Sequence, residues 1–101
     1  MTKGKNKMRL RINVTPEILA KARRNDESRC PLAYAIKEAG AKNVKVTGEA
    51  YFTHNKVNYV CSENRVMNFV FKFDESTPEQ KKAIKPFVWI LNCVEEDIYD
   101  W

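Results

Sequence analysis

Glycine is scarce in this chain, with three residues among 101. A phosphate-cradling loop needs several glycines at fixed spacing, and neither G-x-x-x-x-G-K-[ST] nor G-x-G-x-x-G occurs. Histidine is scarcer still: His54 stands alone, which excludes the H-E-x-x-H zinc motif. Cysteine stops at three, Cys30, Cys61 and Cys93. No two of them make a C-x-x-C, so no zinc knuckle or thioredoxin-type pair is visible. An odd number of widely spaced thiols fits a reducing compartment. A G-x-S-x-G nucleophile elbow is also missing. No apolar run approaches the ~20 residues of a membrane span. The basic start "MTKGKNKMRLR" is followed by no apolar stretch or small-residue cleavage site, so it does not read as a signal peptide. The expectation is a cytoplasmic protein that needs no cofactor, metal or membrane.

What is present suits one soluble domain: 44% hydrophobic and 31% charged residues in a chain long enough for a single core. The net charge of +5 is unevenly spread. Residues 1–11 carry Lys3, Lys5, Lys7, Arg9 and Arg11 with no acid, while residues 92–101 carry Glu95, Glu96, Asp97 and Asp100 with no base. The expected layout is a basic prefix over 1–7, a globular domain over 8–92 and an acidic, aromatic tail over 93–101.

Local patterns supply the elements. "RLRINV" (9–14) alternates, with Leu10, Ile12 and Val14 on one face of a half-buried strand. Thr15, Pro16 and Glu17 form a helix start, and that helix is expected to reach about Arg24. A turn over "NDES" leads to a second helix beginning at Pro31, with Leu32, Ala33, Ala35, Ile36 and Ala39 inward and Gly40 closing it. "NVKV" is a strand, and residues 49–61 read as a hairpin turning near His54-Asn55. Ser62 is placed to cap a helix whose Val66, Phe69, Val70 and Phe73 form an amphipathic stripe. Thr77 and Gln80 spell a capping box on a short helix ended by Pro86. "PFVWILN" (86–92), almost wholly apolar, is expected to be a buried strand, central or closing against the first. The order β-α-α-β-β-β-α-(α)-β predicts an α+β fold: a small, mostly antiparallel sheet of about 4–5 strands with helices on one face.

Cys30 is the most pointed candidate residue. A thiol at a helix N-terminus feels the dipole, and Arg29 beside it pushes in the same direction, so a reactive thiolate is one reading. The only base on offer is His54, on a turn, with no third orienting group. The structural reading makes Cys30 an N-cap, with Pro31 setting the helix start and Ser28 competing for the cap. Convergence of Cys30, Cys61 and His54 on a metal is required by no spacing. The carboxylates of Asp74, Glu75, Glu95, Glu96 and Asp97 read as solvated rather than as a catalytic pair. Lys21, Arg23, Arg24 and Arg29 cluster around the first helix and its exit, a candidate surface for an anionic partner. Lys42, Lys45 and Lys56 lie near Tyr51 and Tyr59, a combination able to follow a phosphate backbone and stack bases.

"RINVTPEILAKARRND", "CPLAYAIKEAG", the "YFTHN" hairpin, "VMNFVFKFDE" and "KPFVWIL" together resemble a group of short, uncharacterised proteins of bacteriophages and prophages, over roughly residues 8–91. The Cys-Pro-aliphatic-Ala element at Cys30–Ala33 is the most specific part. The chain departs from the pattern at Asn55-Lys56, where a glycine after the asparagine would be comfortable, and at both termini. The resemblance implies a phage setting in a bacterial host cell and transfers no catalytic residue. The expected function is therefore that of a non-enzymatic accessory protein that binds a host protein or ribonucleoprotein, as an inhibitor of a defence system such as CRISPR-Cas. Its candidate contacts are Lys21, Arg23, Arg24 and Arg29 for an anionic surface, and Glu95, Glu96, Asp97 and Asp100 as a mimic of phosphates. Trp101 serves as an aromatic anchor in this reading. The alternative is a nucleic-acid-binding regulator using the basic prefix and the arginine cluster. The oppositely charged ends also offer a pairing between protomers of a homodimer.

Overall fold

Thr15-Pro16, Cys30-Pro31 and Thr77-Pro78 each open a helix in the same way. The first residue is extended and turns its side chain back onto a backbone N–H three residues on, and the proline occupies the first helical position. Thr15 Oγ1 accepts from Ile18 N at 3.2 Å, Cys30 Sγ from Ala33 N at 3.4 Å and Thr77 Oγ1 from Gln80 N at 3.1 Å. Thr77 N in turn donates to Gln80 Oε1, completing the capping box. The computed structural model describes residues 7–96. Their elements are β1 (Lys7–Val14), α1 (Pro16–Lys21), α2 (Pro31–Glu38), β2 (Lys42–Val46), β3 (Ala50–His54), β4 (Val57–Cys61), α3 (Asn64–Asp74), α4 (Pro78–Lys82) and β5 (Phe87–Glu95).

The five strands form one antiparallel sheet in the order β1-β5-β4-β3-β2. This is the α+β architecture and element order expected. β2, β3 and β4 follow one another as a meander; β5 returns to lie between β4 and β1 and pairs with β1 over its whole length, from Lys7↔Val94 to Val14↔Phe87. One face of the sheet is covered. Leu10, Ile12 and Val14 of β1, Val44 and Val46 of β2, Phe52 of β3 and Leu91 of β5 pack there against Ile18, Leu32, Ile36, Val66 and Val70 from the helices. Fully buried side chains such as Ile12, Ile36 and Leu91 each contribute on the order of 1.5–3 kcal/mol by leaving water. Among the described residues no helix is long and apolar enough to cross a membrane.

Several boundaries differ from the sequence expectation, each for a local reason. α1 stops at Lys21 rather than near Arg24: Ala22 N closes the last helical bond onto Ile18 O, and Arg23 N turns away to Arg29 O at 2.9 Å. Ser62 does not cap α3; its hydroxyl donates to Glu49, and Glu63 holds the N-cap position with no side-chain cap bond. The β3–β4 turn centres on Asn55 and Lys56, at φ of 51° and 66°, one residue later than expected. Two successive left-handed residues are what a two-residue hairpin of this hand requires. Asn43, also left-handed at φ 54°, marks a register shift in β2. β5 runs on to Glu95, three residues beyond the apolar segment and into the stretch read as tail. It is not buried on both sides: Val88 and Ile90 are 52% and 50% exposed, because all the helices lie on the other face.

Candidate functional site

The arginine cluster read from the sequence is largely engaged in holding the fold. Asn25 adopts φ 57°, so the α1–α2 connection turns sharply. Its neighbours fasten that turn to the end of α3: Asn25 N donates to Asp74 Oδ1 at 2.8 Å, and Arg24 donates to the Ser76 carbonyl at 2.5 Å. Arg29 pairs with Asp26 at 3.9 Å, and Asp26 also accepts from Ser28. Those contacts, the Ser28 N–H foremost, hold the Asp26 carboxyl below its ordinary range. Lys21 lies 3.8 Å from Glu38 and 4.5 Å from the centre of the Tyr34 ring. Arg23 is exposed. Among the acidic residues, Glu95 stands opposite Tyr59 in the β4–β5 ladder and Glu96 N donates to Asn58 O. Asp97, Asp100 and Trp101 lie outside the described residues. Of the basic and acidic ends, the described part shows Lys7 opposite Val94 in the β1–β5 ladder.

Cys30 is 2% exposed, and burial pushes its thiol above the ordinary cysteine range. The N–H groups of Ala33 and Leu32 pull the other way, as expected of a helix start, but desolvation outweighs them. Arg29, counted on to help, is paired with Asp26. Cys30 lines a recess with Val46, Gly48 and Val70, at the end of the sheet where β3 begins; His54 ends β3 at the other end, about 13 Å along the strand. The two are not brought together. Cys61 and Cys93 are buried elsewhere, under the helix layer, and the Cys93 thiol donates to the Leu91 carbonyl at 3.6 Å. The influence of Cys61, with burial, pushes the Cys93 thiol up, and the influence of Cys93 draws Cys61 down. Among the described residues no three His, Cys, Asp or Glu side chains converge as metal ligands.

The uncovered sheet face presents a different surface. Cross-strand partners share a face, so the β1–β5 register places Arg11 beside Ile90, Asn13 beside Val88, Arg9 beside Asn92 and Lys7 beside Val94. Arg9, Arg11, Val88 and Ile90 are all exposed. Neither arginine forms an ion pair with another described residue. The strip continues through half-buried Val94, Val60 and Tyr51. Its centre is aliphatic and its β1 border is basic.

On its β4 side β5 is paired through Glu95 and Val94, and nearer its start Arg65 of α3 lies against it at Ile90. Its guanidinium lies over Trp89 at 4.9 Å, holds the Glu63 carboxylate at 3.0 Å and donates to the Ile90 carbonyl. Behind it, Phe69 meets Phe87 and Trp89 edge-on, at 5.2 and 5.9 Å between ring centres. These rings, with Ile84 and Phe73, line an open recess of about 750 Å³. Arg65 thus ties α3 to β5, and the aromatic rings stack on one another rather than on the open face.

Compared with protein-family models, curated proteins and solved structures, the chain matches none. The residues that sequence reasoning passed over are Val88, Ile90, Trp89, Arg65 and the Cys61–Cys93 pair. In "FVWILNC" both strand faces are apolar up to Leu91, so alternation is hidden; Asn92, the one polar residue, is the signal that an outward face exists.

Proposed function

We propose that this is a non-enzymatic binding protein that docks through its uncovered β1–β5 face onto an acidic surface of a host protein. The observation carrying the proposal is the pairing of unpartnered Arg9 and Arg11 with exposed, aliphatic Val88 and Ile90 on one rigid face. Adjacent exposed aliphatic residues on a strand pair invite burial against another apolar surface, and the arginines select one bordered by carboxylates. A nucleic acid is served less well. Its bases want aromatic platforms, and here Phe87 and Trp89 turn to the covered face. In the phage setting that the resemblance implies, the target is a component of a defence system such as CRISPR-Cas, inhibited by occupation of its surface.

The test is capture from nuclease-treated host lysate on immobilised wild type, Ile90→Asp, the double variant Arg9→Glu/Arg11→Glu, and Lys82→Glu on α4 as a control. The expected result is a protein retained by wild type and Lys82→Glu, lost with Ile90→Asp and weakened by the double charge reversal. Retention by Ile90→Asp, loss on nuclease treatment or absence of any captured protein overturns the proposal; nuclease sensitivity favours the nucleic-acid reading.

A further inference from the structure

The β4–β5 junction holds the two parts of the sheet together, with the β2–β3–β4 meander on one side and the β1–β5 pair on the other. Its register is short: Tyr59↔Glu95 and Val60↔Val94, extended at one end by the Glu96 N to Asn58 O bond at 2.8 Å. The same register carried one step the other way sets Cys61 opposite Cys93. Hydrogen-bonded and non-hydrogen-bonded pairs alternate along an antiparallel ladder. Because Asn58 and Glu96 share a ladder bond, Cys61 and Cys93 fall at a non-hydrogen-bonded position, where Cα atoms approach to about 4.5 Å and side chains come closest. That lies within the roughly 4.4–6.8 Å that a disulfide spans. Both side chains point into the covered face, both are free thiols, and they lie near enough to shift each other's titration.

We propose that Cys61 and Cys93 form an oxidation site that closes to one intramolecular disulfide between β4 and β5 when the protein meets a small peroxide. Cys61 is the last residue of β4 and is followed by exposed Ser62. Strand ends open more readily than strand centres, so a molecule the size of hydrogen peroxide reaches the sulfur by local opening. The Cys61 thiolate attacks one peroxide oxygen; the O–O bond breaks, and the departing hydroxide leaves as water with the proton Cys61 gave up. The Cys93 sulfur then displaces the hydroxyl from the Cys61 sulfenic acid. The Cys93 proton leaves with that hydroxyl as a second water. Two thiols are oxidised and one peroxide is reduced. The closed loop carries α3 and α4, and linking the two parts of the sheet constrains the unfolded chain. Cys30 stays outside the reaction, held at the α2 cap.

The test is treatment of the folded, full-length protein with hydrogen peroxide, then alkylation in denaturant and peptide mapping under non-reducing conditions. The expected product has lost two hydrogen atoms and contains one Cys61–Cys93 crosslink, with Cys30 recovered alkylated. Its melting temperature is raised by on the order of 10 °C and falls back with a reductant. Cys30→Ser gives the same crosslink. In Cys93→Ser, oxidation stops at a Cys61 sulfenic acid trapped by a 1,3-dione. Recovery of Cys61 and Cys93 as thiols or as sulfinic acids without a crosslink, or a crosslink that includes Cys30, overturns the proposal. The mapping of wild type decides this without any variant having to fold.

Discussion

Adjacent residues of β5 should differ sharply in what they cost to truncate. Leu91 is fully buried against Leu10 and the helix layer, whereas Ile90 is 50% exposed beside Arg11. Leu91→Ala removes a buried side chain and leaves a cavity in a core that cannot collapse freely, at a cost of about 3 kcal/mol or more. Ile90→Ala gives up about half of a transfer free energy and some strand propensity, about 1 kcal/mol. Urea unfolding followed by circular dichroism and Trp fluorescence measures both. With a slope of about 1.5 kcal/mol per M, the midpoints should fall by about 2 M for Leu91→Ala and about 0.7 M for Ile90→Ala. Equal shifts, or a larger shift for Ile90, would refute the assignment of faces and with it the docking surface built on Val88 and Ile90.

Cys30→Ala removes the cap acceptor of α2 and should destabilise by about 1 kcal/mol in the same urea assay. In the native wild type Cys30 should alkylate far more slowly at pH 7 than after unfolding, because burial raises its pKa. Glu49 accepts from the Ser62 hydroxyl and from Tyr51 Oη at 2.8 Å, and those two bonds lower its pKa. A lowered folded pKa stabilises above the unfolded value of about 4.3 and is lost as pH falls through the folded one. The stability gap between wild type and Glu49→Ala should therefore be full at pH 7 and shrink below about pH 4; a gap independent of pH across that window would mean the charge plays no part. Tyr51, raised chiefly by the same bond, adds the mirror behaviour: its contribution is present below about pH 10 and is lost as the phenol ionises above it.

The fold was legible where local chemistry and periodicity agreed. Leu10, Ile12 and Val14 alternate against polar neighbours, and three proline-led caps announce three helix starts, so those elements and their inward faces follow from the residues alone. Legibility failed where a partner distant in sequence decides the matter. Ser62 looks like a cap until Glu49 takes its hydroxyl. Cys61 and Cys93 look unrelated until β5 folds back beside β4. The apolar run at 86–92 looks like a strand buried on both faces, but the helices turn out to share one side, and hydrophobicity alone carries no information about which layers will be absent.

The same logic separates two kinds of arginine. A chain that leaves a helix through a left-handed Asn25 exposes backbone groups, and the side chains beside it are short of partners until they find α3; Arg24 and Asp74 supply those links, so their charges are spent inside the protein. On β1 the ladder already satisfies the backbone, and alternation drives Arg9 and Arg11 away from the core with no carboxylate opposite, since β5 presents Asn92 and Ile90 there. Charge density along the sequence is similar in the two places, but only the strand leaves its charge available. Neutralising Arg24 should therefore loosen the connection between α1 and α2 and weaken any partner indirectly, in proportion to lost stability. Neutralising Arg9 and Arg11 should weaken a partner and leave the urea midpoint nearly unchanged. Measured together, binding and stability distinguish a residue that contacts the partner from one that only holds the surface in shape.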